Sequence, residues 1–415
     1  MTGATFRRVS GCRGCGSPDL ADVVSLGDTP LANSLLPSAD AEAPRYPLTI
    51  IRCRACSLVQ LREVIPPEHL FSDYVYFSSF SETLLRHSAA TVAELAESEQ
   101  LGRDSLVVEI ASNDGYLLQY FKQRGVPVLG IEPAQNIARV AQTEKGIPTI
   151  ARFFGAELAE ELASQGHLAD VVLGNNVLAH VPDLNGFVRG VARILKPSGM
   201  AAFEVPYLKD MLDHVEFDTA YHEHQCYYSL TALAHLFCSN GLDVFDVRRL
   251  PIHGGSIRVY VAPKGTRARS PAATQLLADE REWGVGSDAP YARFAGAVQS
   301  VKSELVALIR DLRDKGHSVA AYGAAAKGVT LCAYCGIGRG DLDFVVDRST
   351  YKQGRFFPVG GLPILPTEQL LARRPDYTLL LTWNFAAEIL RQQADYRSAG
   401  GVFIVPVPRP TLVTP

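Results

Sequence analysis

"SLVVEIASNDGYLLQYFKQRG", residues 105 to 125, runs from an apolar stretch interrupted by Glu109 through a polar turn into helix-spaced leucines and phenylalanine. A run such as Leu106–Ile110, apolar apart from Glu109 and without regular polar alternation, predicts a strand buried on both faces, and the spacing after Gly115 predicts a helix. The same unit recurs in "VPVLGIEPAQNIARVAQTEKG" (126–146) and in "ADVVLGNNVLAHVPDLNGFVRGVARILKPSG" (169–199), followed by the strand "MAAFEVPYL" (200–208). Strands of this kind alternating with amphipathic helices predict an α/β fold, a parallel sheet covered by helices on both sides. "GLDVFDVRRLPIHGGSIRVYVAP" (241–263) closes the unit with two strands around a Gly-Gly turn, expected to be antiparallel.

The first turn also carries chemistry. Ligands of doubly wound sheets sit at the carboxyl ends of strands, and an acidic residue about twenty positions on can accept ribose hydroxyls. Glu132 of "GIEPA" lies 23 positions after Glu109. A dinucleotide would require glycines at G-x-G-x-x-G for its pyrophosphate, and here Gly115 stands alone, preceded by Asn113 and Asp114. Polar and acidic side chains there repel a pyrophosphate and accept a cationic nucleoside. S-adenosylmethionine, with an ammonium, a sulfonium and no phosphate, fits that turn.

The chain has 415 residues, 47% hydrophobic and 20% charged, with a net charge of −4. That length predicts more than one domain. The charge gives no general footprint for nucleic acid. No long apolar run and no export signal are read, so a cytoplasmic protein without membrane contact, expected to be a monomer, is the reading. Eight cysteines include the pairs Cys12/Cys15 and Cys53/Cys56, 37 residues apart and each beside a β-prone run. Two such knuckles predict a closed tetrahedral Zn²⁺ site of structural type, the metal replacing a core that so short a segment lacks. A third pair, Cys332/Cys335 in "CAYC", has no partner pair and reads as buried thiols. The stretch "SETLLRHSAATVAELAES" (81–98) predicts a helix leading into the sheet. A charged helical bridge over 266–315 precedes a second α/β unit with strands in "HSVAAYG", "LDFVVDRS", "YTLLLTW" and "GVFIVPV". There the turn "YGAAAKG" opens a helix with Lys327 nearby, a pattern suited to phosphate.

The segments "CRGC", "PLANSLL", "CRACSLVQL", "YVYFSS", "EIASNDGYLL", "GIEPA", "GNNVLAHVPD", "EVPYL", "YHEHQCYYS", "LPIHGG" and "YGAAAKG" occur in this order over almost the whole chain. Together they resemble the nucleotide-sugar C-methyltransferases of deoxysugar and antibiotic biosynthesis, which act on dTDP-linked 4-keto sugars. The resemblance implies a zinc-binding domain (1–70), a class I methyltransferase Rossmann-like domain (71–265), the helical bridge (266–315) and a C-terminal Rossmann-like domain (316–415) that helps hold the nucleotide sugar. It also implies that Ser79, Glu109, Asn113, Gly115, Glu132 and Asn175 line the S-adenosylmethionine site, with Glu132 on the ribose and Phe153 or Phe154, the latter preferred, beside the adenine. His253, Gly254 and Lys327 are the expected substrate contacts.

Methylating a carbon requires that a C–H first be made acidic, and a neighbouring ketone does this by forming an enolate. The enzyme then needs a base at the carbon and a donor at the oxygen. "YHEH" (221–224) supplies such groups, histidine titrating near neutrality. By the resemblance His224 is the base, Glu223 orients it or anchors a sugar hydroxyl, and Tyr76, Tyr221 and His180 hold the keto oxygen. His222 is expected to face solvent; Tyr227 and Tyr228 are expected to pack. A second metal site at "HEH" lacks helical H-x-x-x-H spacing and a third ligand. Two rival functions share the framework. One is an NAD-dependent nucleotide-sugar oxidoreductase, disfavoured by the missing glycines; the other is methyl transfer to a different ketone-activated small molecule.

Overall fold

The structure is a computed structural model that describes residues 6–66, 78–252 and 254–414. Tyr76 and His253 therefore lie outside the described residues.

The central sheet has seven strands. In spatial order they are Leu242–Leu250, Ser256–Pro263, Leu195–Pro206, Ala169–Asn175, Val107–Ile110, Val128–Ile131 and Thr149–Ile150. Ser256–Pro263 runs antiparallel to both neighbours, and the other neighbouring pairs are parallel. Chain direction across the sheet reverses between Val107–Ile110 and Ala169–Asn175. That switch point is where an open α/β sheet leaves a crevice for ligand, and Glu109, Asn113 and Asn175 all fall beside it. The helix Glu82–Ser98 starts on a Ser81 side-chain cap to Leu84 N. It is fixed to the sheet by His87, whose Nε2 lies 2.9 Å from the Glu204 carboxylate, and by Arg258, which bonds both Glu204 and Thr91.

The amino-terminal sheet orders its strands Cys226–Tyr227, Val59–Leu61, Arg45–Cys53 and Leu20–Pro30. Its edge strand thus comes from the "YHEHQCYY" segment, which sequence periodicity did not reveal. The module's apolar residues are shared with both neighbouring cores. Cys12, Cys53, Cys56 and Leu58 pack into the methyltransferase core, while Leu48, Ile50, Val59 and Leu61 share a cluster with the carboxy-terminal sheet.

The bridge is two helices, Pro271–Trp283 and Ala289–Asp314. The second spans about 39 Å at 1.5 Å per residue and buries Phe294, Val298, Val301, Leu305, Ile309 and Leu312 along one face. The carboxy-terminal sheet also has seven strands. Five parallel ones, Leu362–Leu365, Val345–Val346, Val319–Tyr322, Tyr377–Leu380 and Val402–Val405, lie between the antiparallel edges Phe356–Phe357 and Thr411–Val413. No helix among the described residues is long and apolar enough to cross a membrane.

Candidate active site

The turn after Val107–Ile110 is strained. Ala111, Asn113 and Gly115 have φ of +58°, +49° and +74°, a region that side-chain-bearing residues occupy at a cost and that clusters at functional sites. Gly115 is needed there, since a Cβ would also come 3.0 Å from Ile147. The turn is held by Glu132, whose two oxygens accept from Asn113 N at 3.0 Å and Ala134 N at 2.9 Å. Each carboxylate oxygen has a second acceptor position, leaving capacity for ribose hydroxyls. The Asn113 side-chain oxygen accepts from Ser78 N at 2.9 Å and so draws the short helix Ser78–Phe80, with Ser79, to the turn.

Charge in this pocket is one-sided. Glu109 is 1% exposed, and neither of its oxygens has a hydrogen-bond partner among the described residues. Burial, then Glu132 and Asp114, raise its pKa well above the usual carboxylate range, against the pull of Lys145. A buried carboxyl of this kind is stabilised by an incoming cation, and S-adenosylmethionine brings two positive groups without phosphate. Asn175 closes the pocket edge, 3.5 Å from the Tyr116 hydroxyl. Of the two expected adenine neighbours, Phe154 is tied edge-on to core Phe187 at 5.3 Å, whereas Phe153 is 67% exposed and offers the open face. Glu132→Ala should weaken S-adenosylhomocysteine binding about 10- to 100-fold, the usual effect of losing hydrogen bonds to a charged group. Calorimetry beside an unchanged circular dichroism spectrum checks this.

The strand Ala169–Asn175 leads through Leu178–His180 to the second group of residues. His224 Nδ1 lies 3.1 Å from the Thr219 carbonyl oxygen, which can only accept, so Nδ1 carries the proton. In the neutral ring Nε2 then holds the lone pair, and the Tyr221 hydroxyl donates to it at 2.7 Å. The His180 ring stands edge-on 4.9 Å away. Although part of it reaches the surface, desolvation pushes its pKa down to about 4, keeping it neutral against the opposing hydrogen bond to the Glu223 backbone.

The His224 ring is held by the Thr219 carbonyl; Glu223 is buried and accepts from Asn33 Nδ2 at 2.7 Å. Burial raises its pKa to about 7, and Asn33 pulls the other way. His222 corrects the expectation of a solvent-facing ring. It is 2% exposed, donates from Nε2 to Pro47 O at 3.0 Å and meets Tyr46 edge-on. Tyr227 and Tyr228 are buried, their hydroxyls donating to the His224 and Leu178 carbonyls.

At the amino-terminal knuckles the sulfurs of Cys12, Cys15, Cys53 and Cys56 all lie within 4.8 Å of one another. The pairs Cys12/Cys56 and Cys15/Cys53 are 3.5 Å apart. That is far too long for disulfides and close to the roughly 3.8 Å edge of a tetrahedron with 2.3 Å Zn–S bonds. The hydrogen bond shared with Cys56 pulls the Cys12 pKa down to about 5 against burial, so a thiolate is favoured where a cation would sit. Among the described residues this is the one group of metal-ligand geometry; "HEH" forms none.

C-methyltransferase NovU of Streptomyces niveus is 40% identical to this chain over 411 residues, 98% of each protein. The chain belongs to this C-methyltransferase family. Three family models agree with that membership: a zinc binding domain over 12–71, a methyltransferase domain over 80–247 and a C-methyltransferase C-terminal domain over 251–408. Ubiquinone biosynthesis O-methyltransferase of Bartonella tribocorum is 30% identical over 94 residues, 23% of this chain and 38% of that protein. Among solved structures, magnesium protoporphyrin IX methyltransferase of Synechocystis PCC 6803 with bound SAM overlaps 48% of this chain and 89% of its own, at 15% identity and a TM-score of 0.34. The C-methyltransferase uses S-adenosylmethionine and carries a zinc site at its four knuckle cysteines.

The C-methyltransferase's carboxy-terminal domain reaches this site through Trp383, whose Nε1 donates to Asp218 at 2.7 Å, and Thr330, which donates to Ala220 O at 3.0 Å. Lys327 is partly buried at the start of its helix. Its ammonium lies 4.4 Å above the Trp383 ring, and Asp218 and Glu216 offset its charge. The glycines of "IHGG" also lie against carboxylates: a Cβ at Gly254 would strike Glu216 and one at Gly255 would strike Asp210. Burial raises Glu216 to a pKa of about 8. Glu216 and Glu223 both hold protons more tightly folded than unfolded, so folding takes up protons between about pH 4.5 and 8. Their stabilising protonation is complete below pH 4.5 and is lost as pH rises through 7 to 8. His180 acts in the opposite sense, but only below pH 6.5. Denaturant midpoints should therefore fall between pH 6.5 and 8 at constant zinc.

Proposed function

We propose that the enzyme transfers a methyl group from S-adenosylmethionine to a carbon alpha to the ketone, at C-3, of a dTDP-linked 4-keto deoxysugar, acting in the cytoplasm on this small-molecule substrate. The observation that carries the reading is the His224 ring, its Nδ1 proton committed to Thr219 O and its Nε2 lone pair directed at the Tyr221 hydroxyl. A base with a fixed tautomer and a hydroxyl donor at its reactive nitrogen is what enolate formation requires.

Bound S-adenosylmethionine supplies an electrophilic methyl on its sulfonium. The chain's residues do the rest. His224 Nε2 takes the alpha proton as the C–H electron pair spreads onto the keto oxygen. The Tyr221 hydroxyl turns from Nε2 to donate to that oxygen, which frees the Nε2 lone pair for the alpha proton. His180, held neutral, lines the same face, and Tyr76 belongs to the same group by the family resemblance. Glu223 anchors a sugar hydroxyl. Glu109 and the Asn113 turn favour the cationic cofactor, and Glu132 takes its ribose. Lys327, His253 and Gly254 are the contacts proposed for the nucleotide diphosphate.

Incubating the enzyme with S-adenosylmethionine and a dTDP-4-keto deoxysugar should yield a nucleotide sugar heavier by one CH₂, with the new methyl at C-3 by NMR. Oxidation or reduction of the sugar with a nicotinamide cofactor, and no methylation, would contradict the reading.

A further inference from the structure

The zinc-binding module supplies a run of polar contacts to the outer side of the "YHEHQCYY" segment. His222 Nε2 donates to Pro47 O at 3.0 Å, Leu61 N donates to Gln225 O at 2.9 Å, and Cys226 and Tyr227 pair antiparallel with Gln60 and Val59. From the inner side Gln225 N donates to Ala179 O at 2.7 Å, next to His180. The segment is therefore clamped between the methyltransferase sheet and the metal-binding one. Only one of the outer contacts reaches a side chain with chemistry to perform. Asn33, exposed on the turn after Leu20–Pro30, donates from Nδ2 to the buried Glu223 carboxyl at 2.7 Å, across 190 residues of chain.

The turn that carries Asn33 is itself fixed at both ends. Pro30 pairs with Arg45 inside the hairpin. Leu36 exchanges backbone hydrogen bonds with Phe356 at 2.8 and 2.9 Å, and Arg339 donates to Ala39 O at 2.8 Å, so the far end is held by the carboxy-terminal domain. An asparagine placed on a loop anchored in two domains, and aimed at a buried acid in a third, is costly to hold by chance. Asn33 is the side-chain hydrogen-bond donor to Glu223 among the described residues.

We propose that Asn33 is a positioning residue for Glu223, and that the zinc-binding module thereby completes the catalytic site. The proposal rests on the reading of Glu223 as a substrate contact. Without the amide the carboxyl can rotate and loses the donor that favours its ionised form, so the hydroxyl it anchors is held less firmly and the alpha C–H is misplaced relative to His224.

The test uses the full-length zinc-loaded enzyme with S-adenosylmethionine and the keto sugar. Asn33→Ala should lower kcat/KM for the sugar about 10- to 100-fold, the range for a hydrogen bond to a charged group. Zinc content, thermal midpoint and S-adenosylhomocysteine affinity should remain those of the wild type. In a Glu223→Gln background, Asn33→Ala should cost no more than about twofold, because residues acting through one another are not additive. A wild-type kcat/KM for Asn33→Ala, or fully additive losses in the double variant, would overturn the proposal. An inactive wild type would instead overturn the substrate reading on which it stands, and lost zinc or a lowered midpoint in Asn33→Ala would show a merely structural role.

Discussion

His224→Asn should lower the rate of methyl transfer by about 10²- to 10⁴-fold, the range over which a positioned general base contributes. Asparagine retains a donor for the Thr219 carbonyl, so the loop keeps its hydrogen bond while Nε2 is removed. Binding of S-adenosylhomocysteine should be unchanged, because the cofactor turn is held by Glu132 and the Ser78 contact and not by this ring. Tyr221→Phe should be milder. It removes one donor to a developing oxyanion, worth roughly 2.7 to 4 kcal/mol when well placed, and His180 remains 4.9 Å from the base. Initial rates with labelled methyl donor distinguish the two.

The second large effect concerns metal. Cys53→Ser should lose bound zinc and destabilise the protein by more than about 4 kcal/mol, since loss of a metal site belongs to the short list of changes that large. Cys53 is fully buried, and its neighbours Ile50 and Ile51 pair with Leu61 and Gln60 of the strand that carries the edge strand Cys226–Tyr227. Loss should therefore spread to the catalytic segment. Elemental analysis and thermal unfolding check both parts; full metal retention in Cys53→Ser would contradict the four-thiolate assignment.

Much of this was legible in the chain. Largely apolar strands such as Val107–Ile110 and Val128–Ile131 declare a parallel sheet because neither face of them alternates with polar residues, and CxxC pairs declare a metal because thiolates at that spacing converge. His222, Asn33 and the strand Cys226–Tyr227 were not legible, for one reason. Their environments are supplied by Pro47, Glu223 and Gln60, each more than 150 residues away, and local spacing carries no trace of such partners. "PLANSLL" reads as an ordinary turn until the carboxyl beneath it is seen. The short strands Phe356–Phe357 and Thr411–Val413 escaped because two or three residues cannot establish a period. Lys327 was legible as a cation at a helix start, but not its partners Asp218, Glu216 and Trp383, which come from elsewhere in the fold.

The central claim is that His224 removes the proton alpha to the ketone, and exchange of that proton measures it without methylation. With S-adenosylhomocysteine in place of the methyl donor, the wild-type enzyme in deuterated water should exchange the alpha proton of the keto sugar, followed by NMR. His224→Asn should show exchange no faster than the enzyme-free control. Exchange by His224→Asn at the wild-type rate would contradict the account and place the base elsewhere, with Tyr76 or His180 next to be replaced.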